Sequence, residues 1–223
     1  MIKKYAITLA MTIGSTFAVT TFTEGFAAGN ANWAGPSADT FLTHVSTGGA
    51  PASSGGFVST DFTFGNANTF GITLFRGQDG INSSDDAFVG DYQSSGVTSL
   101  SFYVRHNVGV DLDYSLRLAP TVNFPGVSVI PVSSTVPSGE WTELFFDFTN
   151  SSTVQFQSGA PADVLPIVGN LQIGIGQPMG VDTSSAFTFD LDGVSIVAVP
   201  EPSSVALILF SGVSLLLRRR RIS

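Results

Sequence analysis

Between positions 108 and 118 every second residue is apolar: Val108, Val110, Leu112, Tyr114, Leu116 and Leu118 alternate with Gly109, Asp111, Asp113, Ser115 and Arg117. Period 2 turns one whole set to the same side of an extended chain, so this segment is predicted to be a half-buried antiparallel strand. The stretch before it behaves likewise, with Leu100, Phe102 and Val104 inward and Ser101, Tyr103 and Arg105 outward. His106-Asn107-Val108-Gly109 is predicted to join the two as a hairpin turn.

The theme recurs in Val58, Thr60, Phe62 and Phe64; in Phe70, Ile72 and Leu74; in Leu144, Phe146 and Phe148; in Leu171, Ile173 and Ile175; and in Phe187, Phe189 and Leu191. Around Asp192-Gly193 the phase slips by one, returning Val194 and Ile196 to the core side, and a glycine at such a slip predicts a β-bulge. Clusters of Gly, Ser, Asn and Pro separate the runs, at 46–56, 78–96, 131–139 and 157–169. About eight short strands without a long helix predict an all-β domain, an antiparallel β-sandwich of jelly-roll-like form, over residues 28–198.

Both ends differ from this body. Met-Ile-Lys-Lys precedes a mostly apolar stretch from Tyr5 to Val19, and Gly25-Phe26-Ala27 offers small residues at cleavage positions, so residues 1–27 are expected to be a signal peptide. At the other end, Val205 to Leu217 would span roughly 20 Å as a helix against a hydrocarbon core of about 30 Å, a short transmembrane helix that Arg218, Arg219, Arg220 and Arg221 would stop on the cytoplasmic side. Pro200, Glu201 and Pro202 precede it, and two prolines keep that backbone out of both sheet and helix.

This ordered ending, residues 199–223, resembles the PEP-CTERM sorting signal of bacterial exopolysaccharide-associated proteins. The resemblance implies recognition by an exosortase, a membrane cysteine transpeptidase, and cleavage near Pro200–Pro202. The precursor would be held transiently at the inner membrane, and the body delivered to the cell surface or extracellular matrix.

Between the two ends stand Arg76, Arg105 and Arg117 against fifteen carboxylate side chains, a net charge of −12. Such a field repels phosphate backbones and excludes nucleic acid as a partner. The chain has no cysteine, which excludes disulfides and thiolate metal sites. Nucleophile-elbow, phosphate-loop and zinc-protease motifs are missing, so no catalytic residues are assigned and no enzymatic activity is expected. Paired carboxylates at Asp111 and Asp113 or Asp190 and Asp192 match the alternation of ordinary solvated strand faces. An acidic loop with Asn82, Asp85, Asp86 and Asp91 could offer oxygens to calcium.

Aromatic residues out of phase with the core, or in polar segments, are candidates for stacking on sugar rings: Trp33, Tyr92, Tyr103 and Trp141. The stretches FTFDLDGVSIV and GEWTELFFDFTN resemble the last strands of carbohydrate-binding jelly-roll modules. That resemblance implies a structural calcium held through Asp190 or Asp192. The expected function is that of an exported surface or exopolysaccharide-matrix protein that binds glycan weakly. A purely structural or adhesive matrix protein and a glycan-acting enzyme are the alternatives.

Overall fold

The apolar half of each alternating run meets that of another across the gap between two antiparallel sheets. The computed structural model describes residues 18–51, 55–65, 71–131 and 135–199. In chain order its strands are β1 (Phe22–Glu24), β2 (Thr43–Val45), β3 (Phe57–Thr63), β4 (Ile72–Gln78), β5 (Val97–His106), β6 (Leu112–Ala119), β7 (Gly126–Val129), β8 (Thr135–Val136), β9 (Thr142–Asp147), β10 (Val154–Ser158), β11 (Asn170–Ile175) and β12 (Ala186–Ala198). The first sheet runs β2-β3-β12-β5-β9, with β1 also on β12, and the second runs β10-β7-β6-β11-β4, with β8 also on β6. The fold is therefore an all-β sandwich.

Phase and burial agree along most of the runs; on β4 the neighbours Leu74 and Phe75 are both fully buried where the register against β11 shifts. Leu100, Phe102 and Val104 on β5, Leu116 and Leu118 on β6, Leu171 and Ile173 on β11 and Phe189 and Leu191 on β12 are all fully buried. Phe102 stacks on Phe146 with ring centroids 5.1 Å apart, and Phe64 meets the edge of Phe189 at 6.2 Å. Each such side chain contributes about 1.5–3 kcal/mol through burial, which makes this shared core the main source of stability.

The expected hairpin at 106–109 does not form. β5 lies in the first sheet and β6 in the second, so residues 107–111 arch from one sheet to the other. Alternation identifies the buried face of a strand but not its neighbour, and both runs have an inner face to fill. The second run also starts later than its pattern: Val108 is buried in the arch, Val110 is exposed, and regular pairing begins at Leu112. The bulge stands where the phase slips, since the register of β12 against β5 shifts between Asp192 and Ser195 and Gly193 has φ +55°. Left-handed backbone at that position favours glycine.

β1, β2, β7, β8 and β10 carry no alternation long enough to predict them. β1 falls within residues 1–27, the segment assigned on sequence to the leader. It pairs with β12 through Phe22 opposite Ile196 and Glu24 opposite Val194, and Phe26 just beyond it is 1% exposed. A leader ending at residue 27 would remove both from the fold. Pro200–Pro202, Val205 to Leu217 and the four arginines lie outside the described residues, as does most of the apolar stretch from Tyr5. Among the described residues no helix is long and apolar enough to cross a membrane.

Candidate functional site

Two of the four candidate sugar-stacking aromatics are core residues. Trp33 is fully buried, edge-on to Phe26 at 5.9 Å and to Phe88 at 5.6 Å, and its Nε1 donates to Ser84 Oγ at 2.9 Å. Tyr92 is 2% exposed, donates its hydroxyl to the Phe88 carbonyl at 2.7 Å, and is pushed far above the usual phenol range by that burial. A polar neighbourhood in sequence does not expose an aromatic side chain when the loop folds back over the end of a sandwich.

The other two stand on the outer face of the first sheet, as their phase requires. Tyr103 is half-buried and donates to Glu143 Oε2 at 3.1 Å, and burial followed by that carboxylate raises its pKa. Trp141, just before β9, donates Nε1 to the Gly48 carbonyl at 3.2 Å. One face of its indole lies under the Arg105 guanidinium, 4.6 Å from the ring centre, and Phe57 meets it edge-on at 5.5 Å. These rings form a packed aromatic and cation cluster in which the tryptophan's donor is already engaged.

Asp190 and Asp192 are on β12 beside this cluster. Asp190 accepts from Ser59 Oγ at 2.7 Å and pairs with Arg105 at 2.8 Å, while Asp192, fully buried, accepts from the backbone N–H groups of Ala50 and Gly193, both at 2.7 Å. A guanidinium, a hydroxyl and two N–H groups are donors. They fit carboxylates and differ from the shell of oxygens that calcium takes. Among the described residues no group of three or more His, Cys, Asp or Glu could hold a metal ion.

The outer face of the second sheet carries a different arrangement. Arg76 on β4 is opposite Gln172 on β11, which is opposite Arg117 on β6, which is opposite Ser128 on β7. Two strand spacings put the arginine backbones roughly 10 Å apart with the glutamine between them. Arg117 donates from Nη1 to Gln172 Oε1 at 2.9 Å and to Asn123 Oδ1 at 2.8 Å, and from Nη2 to the Asn123 carbonyl at 2.5 Å. Gln172 Nε2 donates to the same Asn123 Oδ1 at 2.9 Å. Phe124, 63% exposed, lies with its ring 5.2 Å from the Arg117 guanidinium carbon.

Arg76 completes the row. Its Nη2 makes a long bond to the Pro36 carbonyl at 3.4 Å, and its buried Nε has no hydrogen-bond partner among the described residues. Burial lowers its pKa, and Arg117 is lowered by burial and then by the charge of Arg76, the signature of two cations sharing a partly desolvated face. Beside them is a recess of about 290 Å³ lined by Arg76, Gln78, Asp79, Thr121, Asn123 and Gln172 among others. Sequence reasoning missed this site. Its one signal was that two of the three cations in a strongly acidic body fall at outward positions of strands.

A larger cleft of about 880 Å³ opens at the end of the sandwich, between Ala18–Glu24 and the 79–91 loop. Its walls carry the carboxylates of Glu24, Asp79, Asp85, Asp86 and Asp91 and, among the described residues, no lysine or arginine. Asn82, Ser84, Asp85 and Asp86 all have positive φ, between 49° and 62°, a conformation that costs L-residues and winds the loop tightly. The Asp86 carboxyl is raised by burial and by the neighbouring Asp79 and Asp85 charges.

No protein-family model matches the chain, and no curated protein matches it. Among solved structures it is similar to part of the CBM22-1–GH10 modules of a Clostridium thermocellum endo-1,4-beta-D-xylanase complexed with xylohexaose (18% identity, 81% of this chain and 29% of that one, TM-score 0.48). It is also similar to a xylan-binding domain from Paenibacillus barcinonensis (18% identity, 80% and 99% of the two chains, TM-score 0.48). A third is the K1 cleaved adhesin domain of Lys-gingipain from Porphyromonas gingivalis (18% identity, 81% and 99%, TM-score 0.41).

Proposed function

We propose that this chain is an exported bacterial surface or matrix protein whose β-sandwich binds a hydroxyl-rich glycan along the Arg76–Gln172–Arg117 row. The observation that carries the binding reading is Arg76, which lines a solvent-open recess and whose buried Nε has no hydrogen-bond partner among the described residues. A buried unpaired donor costs about 1–3 kcal/mol, which a ligand oxygen at that position would recover. Guanidinium and amide groups in a row offer donors and acceptors at spacings that vicinal hydroxyls can bridge, and the exposed ring of Phe124 offers a flat apolar surface for the C–H face of a sugar.

Export and sorting rest on the sequence: the lysine-headed apolar N-terminus, and the ordered series of Pro200–Pro202, apolar run and Arg218–Arg221 that would engage an exosortase-type enzyme. The fold is compatible with a cut there. β12 ends at Ala198, and the Val199 N–H donates to the Gly96 carbonyl at 2.9 Å, so the paired body closes immediately before Pro200.

The test is affinity electrophoresis of the protein through gels containing xylan, glucomannan, cellulose derivatives or the producing organism's own exopolysaccharide. Retardation on one of these polymers that falls at least tenfold in Arg76→Gln is expected. Free migration on all of them would overturn the glycan reading and leave the structural or adhesive matrix role.

A further inference from the structure

Among the bonds near the N-terminus with small residues at the positions a leader peptidase reads, two bracket β1. Gly25 and Ala27 precede one, and Thr16 and Ala18 precede the other. The residues between the two bonds are part of the sandwich. The Val19 N–H donates to Ser95 Oγ at 2.8 Å, and Val19 is 3% exposed. Thr21 Oγ1 donates to the Ala198 carbonyl at 3.1 Å and accepts from its N–H at 3.0 Å, and β1 then pairs along β12. Glu24 accepts from the Phe26 N–H at 2.8 Å and from Ser84 Oγ at 2.9 Å. The Phe26 ring is core, and its carbonyl is 2.8 Å from His44 Nε2.

We propose that export processing hydrolyses the peptide bond between Ala18 and Val19, so that the mature chain begins at Val19. Water adds across the amide: the Ala18 carbonyl carbon takes the water oxygen and leaves on the leader as a carboxylate, and the Val19 nitrogen takes both of the water's protons and becomes an α-ammonium group. A cut after Ala27 would strip β12 of an antiparallel partner and the core of Val19, Phe22 and Phe26. A cut after Ala18 removes none of these. Ala18 itself is exposed, touching the body through a single parallel bridge to Asp91.

The electrostatics select the same bond. Ala18 and Val19 form part of the wall of the 880 Å³ cleft, which carries five carboxylates and, among the described residues, no lysine or arginine. Cleavage there creates a positive charge at the cleft wall while keeping the nitrogen within reach of Ser95 Oγ. The new terminus thereby adds a cation to a wall whose described residues include none, and opposite charges in a partly desolvated site attract more strongly than in water.

This inference rests on the export reading, and the experiment separates the two. The full chain is expressed in its producing organism with Ala18→Phe or Ala27→Phe, since a bulky residue immediately before the bond blocks a leader peptidase. The exported protein is then analysed by N-terminal sequencing and intact mass. The expected result is an unsubstituted chain beginning at Val19, normal processing of Ala27→Phe, and accumulation of uncut Ala18→Phe precursor. An exported chain beginning at residue 28 or elsewhere, or normal processing of Ala18→Phe, would overturn the assigned bond and leave export standing. An unsubstituted chain that keeps Met1 and stays inside the cell would overturn export and the cut together.

Discussion

Arg105 on β5 holds Asp190 on β12 from two nitrogens, Nη2 at 2.8 Å and Nε at 2.9 Å from the same Oδ2. The same guanidinium covers Trp141. The arginine side chain is 30% exposed and the aspartate 9%, so the pair is neither a free surface bridge nor a fully buried one. Asp190→Asn should therefore cost about 2 kcal/mol, between the two limits, and should shift the Trp141 emission as the guanidinium loses its anchor. Thermal unfolding and fluorescence measure both, and an unchanged midpoint would refute the estimate.

His106 gives the fold a pH dependence. Its ring is 2% exposed, between Tyr114 and Phe189, with Nε2 3.0 Å from the Val136 carbonyl. Burial lowers its pKa below the ordinary 6.5, against smaller raising effects of that carbonyl and of Asp111. The unfolded chain then binds the proton first, so this contribution to stability is complete above pH 6.5 and declines as pH falls through that value towards the folded pKa. Melting points measured from pH 7.5 to 5 should fall, and His106→Gln should flatten the curve.

The Tyr114 hydroxyl is buried without a hydrogen-bond partner among the described residues, and burial with the nearby Asp190 charge keeps it protonated. Tyr114→Phe removes the unpaired group while keeping the ring. It should raise stability by about 1 kcal/mol, read as an increased midpoint in urea at unchanged slope. A lower midpoint would mean that the hydroxyl is satisfied in solution.

Gly126 probes the second-sheet row without touching its chemistry. A Cβ there would collide with the Arg117 guanidinium, the movable end of a long side chain. Gly126→Ala should cost about 1 kcal/mol through the disturbed bonds to Asn123 and Gln172. It should also reduce polysaccharide retardation at least tenfold, and retention at the unsubstituted level would remove Arg117 from the site.

Side-chain period made most of the core legible before any coordinates, because Leu100, Phe102, Leu116, Leu171 and Phe189 face inward for the reason they alternate. It also located the bulge, since only a glycine could absorb the slip at Gly193. Partner choice was not legible: β5 and β6 alternate equally well whether paired or in opposite sheets. The short strands, β1 among them, carry too few residues for a period to reveal them. Trp33 and Tyr92 were misplaced because burial by a distant loop leaves no local mark. Tyr103 and Trp141 were placed on the outer face because their phase within or beside a strand is local. The Arg76–Gln172–Arg117 row depends on register across three strands, information that no single segment contains.

β12 occupies an interior position in the first sheet, between β3 and β5, and also receives β1, yet it is the last strand of the body in chain order. Until it arrives, three strands made much earlier have no ladder to join on that side. A chain that crosses a membrane from its N-terminus therefore cannot complete this sheet while it is being threaded. Assembly of this sheet waits for the segment immediately before Pro200, so on the proposed export route the chain would stay open through transit and close only afterwards.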